Sequence, residues 1–156
     1  MKSIYLFDTN AFINWFSNYG PDVVTGMKEK IENLIIEKRL ISVREVLREI
    51  VTKTDALAEW AKENSENFLN PNEYVVKEMF NVMARYPGLI NPFKSKPQSD
   101  PWIIAQALVM VRSENVKNLK VVVNDSALAE ALSNEGILVC DFKEFMIEEK
   151  MQLRVS

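Results

Sequence analysis

Histidine is absent from all 156 residues. That removes the commonest general base, the serine–histidine and cysteine–histidine pairs, and zinc sites that rely on imidazole. Cysteine is nearly absent as well. Cys140 stands alone, so no internal disulfide and no thiolate cluster can form, and a reducing compartment fits. Any metal must then be held by oxygen, which points to magnesium or manganese. Long apolar runs are missing too. The best stretch, Trp102 to Val111, is broken by Gln106 and too short to span a bilayer. At the N-terminus, Asp8 and Asn10 interrupt the apolar run too early for a signal peptide. A cytoplasmic location, with no membrane association, is expected. There is no excess of positive charge: the net charge is −3, so charge does not advertise nucleic-acid binding, although a local patch would suffice. Repeats, low-complexity segments and long linkers are also lacking, and the length fits a single domain over residues 1–156.

What is present is ordinary globular material. Hydrophobic residues make up 47% of the chain, enough to form a core without disulfides. Ile4, Tyr5, Leu6 and Phe7 form a short apolar run that predicts a strand. A helix follows over about 11–18 and stops at Gly20-Pro21. Helical spacing of Val24, Met27, Ile31 and Leu34 predicts a helix over about 22–38, and Leu40 to Val43 reads as the second strand. Ser42 and Glu45 have the spacing of a capping box that opens the next helix. Helices are expected over 55–68, capped by Asp55, and over 71–86, with Pro71 at its first position. Residues 87–99 hold three prolines and read as a loop. Asp100-Pro101 opens a helix, apolar on nearly all sides, that runs to about 113. Leu119 to Val123 is the third strand and Ser126 to Glu135 a helix, with Gly136 as its C-terminal cap. Ile137 to Cys140 is the fourth strand, and Asp141 with Glu144 can cap a last helix. Strands alternating with helices argue for an α/β fold with a parallel sheet.

In such a sheet, ligands bind beyond the carboxyl ends of the strands. Asp8 ends strand one, Asn124 and Asp125 end strand three, and Asp141 ends strand four. Glu45 and Glu49 lie just past strand two. Each acid also has a plain structural role open to it. Asp8, Asp100, Asp125 and Asp141 fit helix caps, Glu45 fits the capping box, and Glu49 fits a solvated helix charge. Their joint placement carries more weight. Carboxylates drawn together repel by about 4 kcal/mol per pair at ~4 Å and an effective dielectric near 20. Such a cluster takes up protons or binds a cation. A bound magnesium or manganese ion acidifies water and stabilises charge on a phosphoryl oxygen. That chemistry hydrolyses phosphodiesters without histidine.

Four segments resemble the motifs of the PIN-domain family. They are "YLFDTNAFI", "ISVREVLREI" with Glu49 as its acid, "SDPWIIAQAL" with Asp100, and "VVVNDSALAEAL" with Asp125. Their order and coarse spacing match over essentially the whole chain. The chain departs from the family pattern at Val123 and Leu128, and in the longer stretch "RSENVKNL". The form "DPWIIA" resembles a PIN-like prokaryotic subgroup.

The resemblance implies a three-layer PIN-like fold, with a central, mainly parallel sheet of four to five strands flanked by helices. It also implies a Mg²⁺- or Mn²⁺-dependent endoribonuclease, as in VapC-type toxins held by an antitoxin. Carried over, Asp8, Glu49, Asp100 and Asp125 are the acidic site, and Asn10 is the polar residue supporting it. Arg44, Arg48, Lys94 and Lys96 lie close enough in sequence to meet RNA phosphates, with plain solvation as the alternative. Single-stranded or looped RNA is the expected substrate, since its bases and backbone are accessible. A homodimer or an antitoxin could use the apolar helix faces. Two rivals remain. A haloacid-dehalogenase-like phosphatase wants a second carboxylate where Asn10 stands. A non-catalytic PIN-like RNA-binding or regulatory module would retain the fold without cleavage.

Overall fold

The computed structural model describes residues 1–19, 26–53, 55–90 and 98–151. Five strands form one sheet: β1 (Ile4–Phe7), β2 (Leu40–Val43), β3 (Phe68–Leu69), β4 (Leu119–Val122) and β5 (Val139–Cys140). Their order is β3-β2-β1-β4-β5, and every pairing is parallel. The described helices are α1 (Thr9–Asn18), α2 (Met27–Ile36), α3 (Arg44–Ile50), α4 (Ala56–Glu63), α5 (Glu73–Arg85), α6 (Asp100–Leu108), α7 (Ser126–Asn134) and α8 (Phe142–Glu148).

The order of strands dictates the layers. From β1 the chain steps outward through β2 to β3, then returns across the sheet to β4 and β5. Right-handed crossovers put the helices of these two halves on opposite faces. The contacts agree for α1, which packs with α3 and α4, and for α6, which packs with α5 and α7; α8, which follows β5, is the exception and packs against α1. The strands are therefore covered on both sides, and Tyr5, Leu6 and Phe7 are all fully buried. A continuously apolar β1 follows from that double coverage.

The two faces differ in chemistry. Toward α1 and α8 the core is aromatic. Phe7 stacks edge-on to Phe145 at 5.0 Å and lies 5.1 Å from Phe12, which reaches Phe68 at 5.4 Å and Trp60 at 5.8 Å. Each such pair adds roughly 0.5–1.5 kcal/mol beyond the area it buries. The α6 side is filled by Ile103, Ile104, Ala105, Ala107 and Leu108, all buried. Small residues let α6 lie close to the sheet, and its last turn widens into a π-helical segment, Val109–Ser113.

Several boundaries differ from the sequence-based expectation. Ser42 caps nothing. It lies inside β2, and its hydroxyl donates to the Phe7 carbonyl at 2.6 Å, while Val43 occupies the N-cap of α3. Glu45 pairs instead with Arg48 at 2.9 Å. The expected 55–68 helix ends at Glu63, giving way to a 3-10 turn and then β3. Asp55 does cap α4, accepting from the Ala58 amide. Helix α5 starts at Glu73 with Asn72 as its cap, so Pro71 lies before the helix. At Gly136, φ is +79°, as a glycine helix terminator requires. Asp141 and Glu144 form the expected capping box. The start of the expected 22–38 helix lies outside the described residues. Among the described residues, no helix is long and apolar enough to cross a membrane.

Candidate functional site

The sheet reverses its direction of winding between β1 and β4. At that point the first helices of the two halves diverge, leaving a crevice beyond the carboxyl ends. Asp8 follows β1 and Asp125 follows β4, so topology alone brings two acids that are distant in sequence to one crevice. Helix α3, leaving β2, supplies Glu49. Helix α6, which crosses back under the sheet, supplies Asp100 in its first turn.

Asp8 is only 3% exposed. Its Oδ1 accepts the Ala11 amide at 2.7 Å, so it is also the N-cap of α1. Structural and functional readings of this residue are thus not exclusive, because its second oxygen remains available. Burial pushes its pKa up to about 7; the Ala11 amide opposes this, and the charges of Asp100, Asp125 and Glu49 add to it. Burial likewise raises Asp100 to about 6, helped by Asp125 and Glu49. Asp100 does not cap α6. Ser99 holds the N-cap position, and no side chain bonds the first amides. Asp125 caps α7 through Oδ1, which accepts the Leu128 amide at 2.8 Å.

Glu49 is held on both oxygens. Thr9 Oγ1 donates to Oε2 at 2.6 Å, and the Ser99 amide donates to Oε1. These bonds tie α1, α3 and the start of α6 together at the crevice. Thr9 and Ser99 were not singled out from sequence. Thr9 sits between two flagged residues, so its position in "DTN" was the available signal. Ser99 had none, because its contribution is a backbone amide.

An open cleft of about 390 Å³ lies over this region, lined by Thr9, Asn10, Glu49, Ser99, Asp100 and Lys53 among others. Asn10 is exposed at its rim. Arg44 and Arg48 do not line it. They flank a separate groove with Lys62 and Asn70, where Arg44 Nε donates to Asn70 Oδ1 at 2.8 Å. Lys94 and Lys96 lie outside the described residues. Among the described residues, no lysine or arginine forms an ion pair with Asp8, Glu49, Asp100 or Asp125. The four acids sense one another's charge, yet among the described residues no three are drawn tightly enough to grip a single ion in this conformation. The donor set is all oxygen, as a hard divalent cation prefers.

The family described as "Domain of unknown function (DUF4411)" matches residues 5–151. The chain belongs to that family. A comparison of this DUF4411 chain with curated proteins gives no match. Among solved structures it is similar to VapBC-1 from nontypeable Haemophilus influenzae, with a TM-score of 0.57 and 16% identity over 90% of this chain and 98% of that one. It is also similar to DNA-bound VapBC from Salmonella typhimurium, with a TM-score of 0.55 and 17% identity, again over 90% and 98% of the two chains. At that identity the likeness establishes the fold: DUF4411 here adopts the PIN-like fold of VapC toxins.

Proposed function

We propose that this protein is a Mg²⁺- or Mn²⁺-dependent endoribonuclease that hydrolyses RNA phosphodiester bonds. The observation that carries the reading is four carboxylates near the carboxyl end of the sheet, with Glu49 and Asp100 lining the cleft and Asp8 and Asp125 outside its lining. Among the described residues none is paired with a lysine or arginine, and Asp8 and Asp100 have pKa values pushed well above the ordinary range. Burying acids together without a counter-charge is costly, and a divalent cation relieves that cost. Asp8 through its free oxygen, Asp100, Glu49 and Asp125 are the residues that would hold it. Completing the set requires Glu49 to release at least one of the two groups it accepts from, the Thr9 hydroxyl or the Ser99 amide. When bound, the ion supplies an acidified water and a positive charge opposite the phosphoryl oxygen. Thr9 and Ser99 orient the Glu49 carboxylate, and Asn10 at the rim can orient the substrate.

The test is incubation of purified protein with mixed RNA in Mn²⁺, Mg²⁺ or EDTA, alongside Asp8→Asn and Asp100→Asn. Metal-dependent cleavage that disappears in both folded variants supports the reading. A non-catalytic RNA-binding module is the second reading, favoured by the engagement of both Glu49 oxygens. RNA binding unaffected by removal of the acids, with no cleavage by the wild type, would establish it. The fold shared with VapBC chains also supports a toxin held by an antitoxin or paired as a homodimer. Co-expression with the product of an adjacent reading frame, followed by size measurement, tests that arrangement.

A further inference from the structure

The carboxylate cleft does not end at Glu49. A second hollow of about 290 Å³ adjoins it and shares Thr9, Ile13, Glu49 and Lys53 as walls. Beyond that shared wall its character changes, with Phe16, Ile50 and Leu57 lining it and Ser17 and Asp55 as polar groups. The Phe16 ring is half-buried. It is braced by Trp15 at 4.3 Å and Trp60 at 6.0 Å, so it is a fixed apolar surface rather than a mobile one. Lys53 stands at the junction. It is exposed, is the one cation among the described residues lining either hollow, and forms no ion pair among the described residues.

We propose that these two hollows form one nucleotide subsite, with Lys53 meeting a phosphate of single-stranded RNA and Phe16 receiving the neighbouring base. This inference rests on the endoribonuclease reading and adds which side of the crevice the strand follows. Three features of the groove fit that occupant. A run of carboxylates repels a phosphate backbone, so a strand crossing it needs a cation next to the acids, and Lys53 is placed there. A base one step along the strand then falls over an apolar floor. Such a floor is sequence-tolerant, because every base has a stacking face. Ser17 and Asp55 at the edge offer hydrogen-bond partners to a base edge.

The experiment uses fluorescent oligoribonucleotides with 2′-methoxy groups, which bind but are not hydrolysed, in Mg²⁺. An abasic position is walked along the strand. The expected result is one position at which loss of the base weakens binding to the wild type by about ten-fold, the order of one lost stacking contact. Phe16→Leu should bind normal and abasic strands alike. Lys53→Gln should reduce the slope of log affinity against log salt by about 0.7, the loss of one phosphate contact on a single strand. Equal binding of all abasic strands by the wild type overturns the proposal, and that comparison needs no variant to fold. An unchanged salt slope in Lys53→Gln overturns the assignment of Lys53. Cleavage of unmodified RNA is scored separately. Metal-dependent cleavage without a sensitive position leaves the nuclease reading standing and removes the subsite, whereas a sensitive position without cleavage does the reverse.

Discussion

The two ends of the sheet hold acids under opposite conditions. At the amino end, Glu148 and Glu149 are surrounded by partners. Arg39 reaches Glu149 at 2.7 Å, Lys120 reaches Glu148 at 2.9 Å, and the Tyr5 hydroxyl lies within hydrogen-bond distance of both carboxylates, sharing its one proton between them. Those bonds and charges draw the Glu148 pKa below its ordinary value, although burial opposes them. They also push the Tyr5 hydroxyl strongly upward, with its burial as the largest cause. At the carboxyl end, Asp8 and Asp100 rise instead, through burial and the like charge of their neighbours, and no described lysine or arginine pairs with them. Two acids stand at the amino end and four at the carboxyl end, and what separates the clusters is whether described cations pair with them. A compensated cluster closes the fold, joining α8 to β1 and β4. One without a paired cation among the described residues is poised to take a proton or a cation.

Breaking the carboxyl-end cluster should have the largest effect. Asp8→Asn or Asp100→Asn is expected to lower metal-dependent RNA cleavage by about 10³-fold, the scale of losing several kcal/mol of charge stabilisation. Circular dichroism should show both variants folded. Breaking the amino-end cluster should act on stability alone. Arg39→Met leaves the Glu149 carboxylate, whose side chain is 8% exposed, with Lys30 at 3.6 Å and the Tyr5 hydroxyl, and should destabilise by about 1.5 kcal/mol in urea titration, the scale of one charged hydrogen bond. Cleavage per folded molecule should not change.

A pH series sharpens the contrast. The Asp8 pKa is raised from 3.8 to about 7, so its proton is bound more tightly in the folded state. Its contribution is therefore complete below the unfolded value and is lost as pH rises through the folded one. In EDTA, the wild type should lose stability between about pH 4 and 7, and Mg²⁺ should restore part of it. Asp8→Asn keeps a cap for Ala11 and should be more stable than wild type by about 2 kcal/mol above that range, but not below it. The smallest effect is expected from Thr9→Val. Losing the hydroxyl that donates to Glu49 should reduce cleavage by about five-fold, equivalent to about 1 kcal/mol for one hydrogen bond.

Much of this contrast was legible in the sequence, because strand ends are marked by abrupt changes from apolar to acidic residues. "YLFD" and "VVVND" fix β1, β4 and the acids that follow them. The helix before β4 was legible because it is apolar on nearly all sides. Strand β3 was not: Phe68 and Leu69 follow a polar stretch that continues a helical pattern, and two residues carry no alternation of their own. Ser42 misled because the capping-box spacing is local, whereas its hydroxyl answers to a carbonyl in the neighbouring strand. The partners of Glu49 were hidden for a related reason. One is the Ser99 main-chain amide, which any residue but proline can supply. Absence of compensation was also invisible, since Arg44 and Arg48 lie near Glu49 in sequence but flank a different groove.

The pairing of β1 with β4 has a consequence for synthesis. Asp8 is synthesised long before Asp125, with β2, β3 and the helices between them in the interval. The strand that seats beside β1 is Leu119–Val122, so a nascent chain carries its first acid long before the crevice has a second wall. Tyr5 and Ser3 then find Glu148 and Glu149 only when α8 emerges. A chain made only as far as α6 thus carries Asp8, Glu49 and Asp100 without β4 to close the crevice beside them.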